Sequence, residues 1–114
     1  MKKHHPDGWT ILQFDVPGEP ILLKIFATWR WSNEKWQLSS GSYNPHNIRS
    51  YDSYFEWEQE SGSIYHLPKD GENGSTMWQS MKLDIIIDES KKRGASISVV
   101  KLNEFFTDQN GLPL

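Results

Sequence analysis

The sequence predicts an α+β fold: a five- to six-stranded, mostly antiparallel sheet running as a meander, with one α-helix packed on one face. Three observations predict it. Residues 21–31 alternate with a period of two, so Ile21, Leu23, Ile25, Ala27, Trp29 and Trp31 share one side and Leu22, Lys24, Phe26, Thr28 and Arg30 the other. Two further alternating runs, 9–16 and 51–59, are bounded by Pro- and Gly-rich turn segments. Residues 76–93 carry apolar residues at helical spacing between a Ser75 start signal and a Gly94 stop signal.

The first strand spans residues 9–16, with Thr10, Leu12, Phe14 and Val16 as its apolar side. Pro17-Gly18-Glu19-Pro20 reads as a turn, its prolines standing where no ladder donor is needed. A four-residue loop there pairs Phe14 with Leu23 and Leu12 with Ile25. Ser32-Asn33-Glu34-Lys35 reads as the next turn, because Ser and Asn bond their own backbone. It pairs Trp31 with Trp36 and Trp29 with Leu38, so three strands share one apolar face.

Residues 41–50 read as a loop, begun by the turn signal Asn44-Pro45 and carrying His46 and Arg49. In the fourth strand, 51–59, Tyr51, Ser53, Phe55 and Trp57 alternate with Asp52, Tyr54, Glu56 and Glu58. Glu60-Ser61-Gly62 reads as a hairpin loop with Gly62 at a positive φ, and the fifth strand is 63–67. That loop pairs Trp57 with Tyr65 and Phe55 with Leu67.

The helix predicted over 76–93 puts Met77, Trp78, Met81 and Ile85 on one face, set against the sheet side bearing Leu23, Ile25, Trp29 and Trp31. A strand over 82–88 is the alternative, since Ile85-Ile86-Ile87 is β-branched. As a helix, its second side with Leu83, Ile86 and Ile87 must also be covered. Residues 95–102 form the last strand, and Phe105-Phe106 beyond it want cover. The 114 residues make one domain, with 1–8 and 108–114 loose.

Composition excludes several function classes. The net charge of −3 argues against a nucleic-acid binder, which needs a concentrated basic surface, and against an electrostatic membrane binder. No apolar run approaches the length of a membrane span. With no cysteine there is no disulfide, thiol nucleophile or thiolate metal site, which fits a reducing, cytoplasmic setting. The pair His4-His5 supplies too few ligands for a closed metal site, and no cofactor is expected. Gly71-Glu72-Asn73-Gly74-Ser75 faintly resembles a phosphate-cradling loop before a helix, but Asp70 and Glu72 would repel phosphate.

The segments Trp36-Gln37-Leu38-Ser39-Ser40-Gly41 and Ser61-Gly62-Ser63-Ile64-Tyr65, followed by a helix and a β-branched strand, carry a resemblance over residues 21–102. The pattern is similar to small orphan proteins of bacterial mobile gene cassettes and phage-like islands, integron cassettes among them. The resemblance implies a cytoplasmic α+β domain of bacterial origin in an accessory or adaptive role. It implies no activity and carries over no functional residue.

Two function classes follow. The first is a non-enzymatic interaction domain that binds a protein partner or forms a homodimer. Its surface would be the second face of the central hairpin, with Leu22, Phe26 and Arg30, joined by Trp9 and Tyr54. The second is a small-molecule carrier or small enzyme with an aromatic-lined pocket between sheet and helix, using His66 and Trp57. A closed pocket joining His66 or His46 to a carboxylate favours the second class, and an open apolar face with Phe26 favours the first. The carboxylates Asp52, Glu56, Glu58 and Glu60 share one side of the fourth strand, read as a solvated outer face or charged edge, or else as a row that binds a cation or a basic partner or supplies an acid/base pair.

Overall fold

Two sheets are formed where one was expected. The computed structural model describes residues 2–32 and 34–102. In chain order the elements are β1 (Lys3–His4), β2 (Gly8–Asp15), β3 (Leu22–Thr28), β4 (Trp36–Leu38), β5 (Arg49–Ser50), β6 (Tyr54–Glu58), β7 (Ile64–Pro68), α1 (Met77–Lys92) and β8 (Ser96–Val100). One sheet has the order β1-β7-β6-β5 and the other β4-β3-β2-β8. All pairings are antiparallel except β1 with β7. The single meander ends at β4. After it Gly41, at φ +97°, turns the chain into the second sheet, a backbone angle that favours glycine.

The sheets face each other across the core. Trp9 and Ile11 of β2 and Leu23, Ile25 and Ala27 of β3 look inward, towards Phe55, Trp57, Tyr65 and Leu67 of the other sheet. The edge-to-face contact of Trp9 with Phe55, at 6.1 Å between centroids, crosses this layer. One corner is laced by Ser39, whose hydroxyl accepts from the Ile25 amide at 2.8 Å and donates to Gln59 Oε1 at 2.6 Å.

The β6–β7 hairpin has the expected register, Trp57 opposite Tyr65 and Phe55 opposite Leu67, with Gly62 at φ +87°. The first two hairpins do not. Phe14 pairs with Leu22 and Leu12 with Lys24, one residue off the expected alignment. Val16 and Ile21 stay in the loop, 39% and 41% exposed, because Pro17 and Pro20 hold a turn closed by the Glu19 amide on the Val16 carbonyl. A one-residue slip sends Leu12 and Phe14 to the opposite face, beside Phe26. At the next hairpin Thr28 pairs with Trp36 and Phe26 with Leu38. Trp29 leaves the ladder but stays in the core, and Trp31 is 72% exposed.

The helix forms within one residue of its predicted ends. Thr76 is the N-cap and closes a capping box with Gln79, and Gly94 follows the C-cap at φ +91°. Its packing face is the reverse of the expected one. Leu83, Ile86 and Ile87 are half-buried, whereas Met77, Trp78, Met81 and Ile85 are exposed. The Leu23–Ile25 side of β3 is already covered by the second sheet, so the helix takes the other side. Thr28, on that side, donates to the Gly74 carbonyl at 2.8 Å just ahead of α1, and α1 comes closest to β8. Leu12 and Phe26, both fully buried, occupy this second side.

The N-terminus is not frayed at Lys3–His4, which pair with β7, and the His4 ring stacks on Tyr65 at 4.6 Å. The expected loose segment 108–114, and Phe105-Phe106, lie outside the described residues.

Candidate functional site

The outward face of the β1-β7-β6-β5 sheet brings basic, acidic and imidazole side chains together. Period-two alternation on β6 sends Phe55 and Trp57 into the core and Tyr54, Glu56 and Glu58 outward. Cross-strand pairing then aligns Arg49, Glu56 and His66 in one row over β5, β6 and β7. Through His66 it joins a series of rings: Tyr51 stacks on Tyr54 at 4.8 Å, Tyr54 stacks on His66 at 3.6 Å, and His5 lies tilted against His66 at 4.9 Å.

At the β5 end the face sinks into a groove of about 320 Å³, lined by His46, Asn47, Ile48, Arg49, Glu56, Glu58 and Ile64. Its wall is a short 3₁₀ turn, Pro45–Asn47. Asn44 Oδ1 accepts from the His46 amide at 3.0 Å, and Asn47 Oδ1 accepts from the Trp57 indole at 2.9 Å. Buried Ile48 pins the segment from below. The groove is therefore held by the core, while His46, Arg49 and Glu58 stay exposed. Among the described residues the ion pair within 4.0 Å is Lys92 with Glu89, so Arg49, Glu56 and Glu58 are not tied to one another.

Two histidines of this sheet, His66 on the outward face and buried His4, are harder to protonate than usual. Burial lowers the pKa of His66, His5 and Lys3 add to this, and Glu56 and a backbone hydrogen bond oppose it. Burial likewise lowers that of His4, with Lys2, His5 and Lys35 contributing. The unfolded chain thus binds more protons just below the ordinary value of 6.5. Stability from the neutral rings is complete above that value and is lost as the pH falls through the lowered folded values. The melting temperature is expected to drop as the pH falls below that ordinary value. The drop should be shallower in His4→Phe, which keeps a ring on Tyr65 and takes up no proton. A melting series by circular dichroism checks both.

The residues singled out from the sequence do not form one surface. Trp9 is fully buried, its indole donating to the Pro68 carbonyl at 2.7 Å. Phe26 is fully buried and stacked on Trp36 at 5.6 Å, which overturns the open-face expectation for it. Leu22 is half-buried beside Gly41, and Arg30 is exposed, with its amide donating to the Asp7 carboxylate at 2.8 Å. Tyr54 lies on the other sheet. Of the alternative pair, His66 stands on the outward face while Trp57 is a core residue. The groove also lies on the far sheet from α1, not between sheet and helix. The groove brings His46 together with carboxylates, the combination expected of a ligand pocket, and adds Arg49, which the sequence does not connect to them.

The phosphate-loop likeness at Gly71–Ser75 leads to a recess of about 160 Å³ that includes Asp7 and Asp70. The amides of Gln79 and Ser80 at the helix start are bonded to Thr76. Among the described residues no three or more His, Cys, Asp or Glu side chains are placed to hold a metal ion. Among them, too, no helix is long and apolar enough to cross a membrane. Compared with protein-family models, curated proteins and solved structures, the chain matches none.

Proposed function

We propose that this chain is a binding domain that holds a small polar ligand in the groove between His46, Arg49, Glu56 and Glu58. The observation that carries the reading is the meeting of a guanidinium with two carboxylates, none of them ion-paired among the described residues, on a groove of about 320 Å³, the lower end of small-ligand sites. Glu56 and Glu58 accept from ammonium or hydroxyl groups. Arg49, opposite Glu56 on the neighbouring strand, donates to a carboxylate or other acceptor. The fitting ligand is a compact zwitterion or polyol with donors at one end and an acceptor at the other.

The test is a titration of amino acids, amino sugars and neutral sugars followed by NMR. The His66 ring, paired across from Glu56, serves as reporter. The expected result is shifts centred on residues 46–58 and His66, with affinity reduced about tenfold or more in Arg49→Ala and in Glu56→Gln, about 1.4 kcal/mol each. Shifts absent from these residues across the panel would overturn the reading.

Association with a protein partner is the second reading. The exposed apolar side of α1, with Met77 at 83%, Met81 at 53% and Ile85 at 51% exposure, favours it. An accessory role in the cytoplasm of a bacterium, as the mobile-cassette resemblance implies, suits either reading.

A further inference from the structure

We propose that a second copy of this chain pairs with the edge of β8 that no described strand covers, joining two four-stranded sheets into one across a twofold axis at Ser98. This inference is independent of the groove. It begins with the sheet edges. Exposed edges invite strand addition, and proteins blunt them with shortness, charge or proline. Among the described residues, edge strands β1 and β5 have two residues each and carry Lys3 and Arg49, and β4 has three. The fourth edge, β8, has five residues, Ser96–Val100, with no charge and no proline. It pairs with β2 on one side, and Val99 on it is 49% exposed.

The sequence of β8 suits its own copy. In an antiparallel pair about an axis perpendicular to the sheet, residues opposite each other must point to the same face, so the axis passes through a residue position. Centred on Ser98, it places Ile97 opposite the second copy's Val99, twice. These are β-branched residues on one face, a favourable cross-strand pairing. Ser96 then meets the second copy's Val100, and Ser98 meets itself. No like charges oppose each other within the five paired positions. The same axis puts both α1 helices on one side of the joined sheet, each over its β8 edge. A lone strand pair is small against the ~800 Å² per partner of a stable interface, and helix flanks brought together along the axis enlarge it.

The chain has no cysteine, so Ser98→Cys introduces a single thiol at the proposed axis. The wild type is expected to sediment as a dimer, and mild oxidation of Ser98→Cys to give a covalent dimer. Val99→Lys, at an exposed position, should stay folded by circular dichroism and weaken the dimer at least about tenfold. Met81→Lys, on the exposed side of α1, should leave the dimer intact. A monomeric wild type would overturn the proposal. So would a Ser98→Cys protein that does not cross-link, or a dimer lost in Met81→Lys and kept in Val99→Lys. Ligand titration of Val99→Lys reads the groove separately, because none of these variants touches it.

Discussion

Gln79→Leu is expected to lower the unfolding free energy by about 3 kcal/mol, a large share of the ~5–15 kcal/mol typical of a domain. Gln79 is 1% exposed and is the one helix residue fully taken into the structure. Its amide nitrogen shares its two hydrogens among three carbonyls of the β3–β4 connection: Trp29 at 3.3 Å, Ser32 at 3.1 Å and Lys35 at 2.8 Å. Its oxygen accepts from the Thr76 amide at 2.8 Å, half of the capping box. One side chain thus caps the helix and ties down a loop that has left its ladder, reaching the Lys35 carbonyl and the Trp29 and Ser32 carbonyls, which also accept from the Ser32 and Lys35 amides. Leucine fills similar space but removes the bonds that Gln79 makes to the Lys35 carbonyl and the Thr76 amide, and desolvating a polar group without its bond costs more than the bond is worth in water. Gln79→Glu separates the two roles. It can still accept from Thr76, but it turns a carboxylate towards three carbonyl oxygens. At neutral pH it should be at least as unstable as Gln79→Leu and should regain stability on acidification, as the carboxyl group takes up a proton. Urea unfolding at two pH values decides this. If Gln79→Glu shows no such recovery, the three-carbonyl contact is not what makes Gln79 necessary.

The same loop marks where sequence reading succeeds and fails. The helix was legible because its signals are local: a hydroxyl start signal, read at Ser75 and found one residue on at Thr76, and Gly94 at the end. The β6–β7 hairpin was legible because a three-residue loop with Gly62 leaves one register. The β2–β3 register was not. Period two fixes which residues share a side of a strand, but loop length fixes which sides meet, and the prolines lengthened that loop. A signal of two covered faces was present. Residues 21–27 are apolar on both sides, Leu22 and Phe26 as well as Leu23 and Ile25, the pattern of a strand buried between layers. Taking one side as open produced both the reversed helix face and the partner surface at Phe26. For the groove, the pairing of Glu56 with His66 followed from the predicted register of Trp57 and Tyr65. Arg49 did not, because it joins the sheet through a two-residue strand inside a segment with loop composition.

Gly8→Ala is the second substitution expected to have a large effect, about 3 kcal/mol by the range for forced overpacking. A methyl group on Gly8 would run into the Gly74 carbonyl and the Thr28 hydroxyl, the two partners of the bond that holds the lead-in of α1 to β3. The first of these is backbone and cannot rotate away. The loop from Gly71 to Gly74 is also fixed on its other side, where the Asn73 amide donates to the Trp9 carbonyl at 2.6 Å. Either β2 lifts from β3 at its first pair, Gly8 with Thr28, or the loop shifts and carries Thr76 and Gln79 with it. Gly18→Ala is the contrasting case. Gly18 sits at φ +83° with open space around it, so alanine there meets backbone strain alone, of order 1 kcal/mol. Thermal unfolding of both variants separates close approach from conformational strain. Amide exchange at Asn73 adds a local readout, expected to quicken in Gly8→Ala and to stay unchanged in Gly18→Ala. Equal losses in the two variants would mean that the loop yields easily. The seating of α1 would then rest on Gln79 rather than on the contact between Gly8 and Gly74.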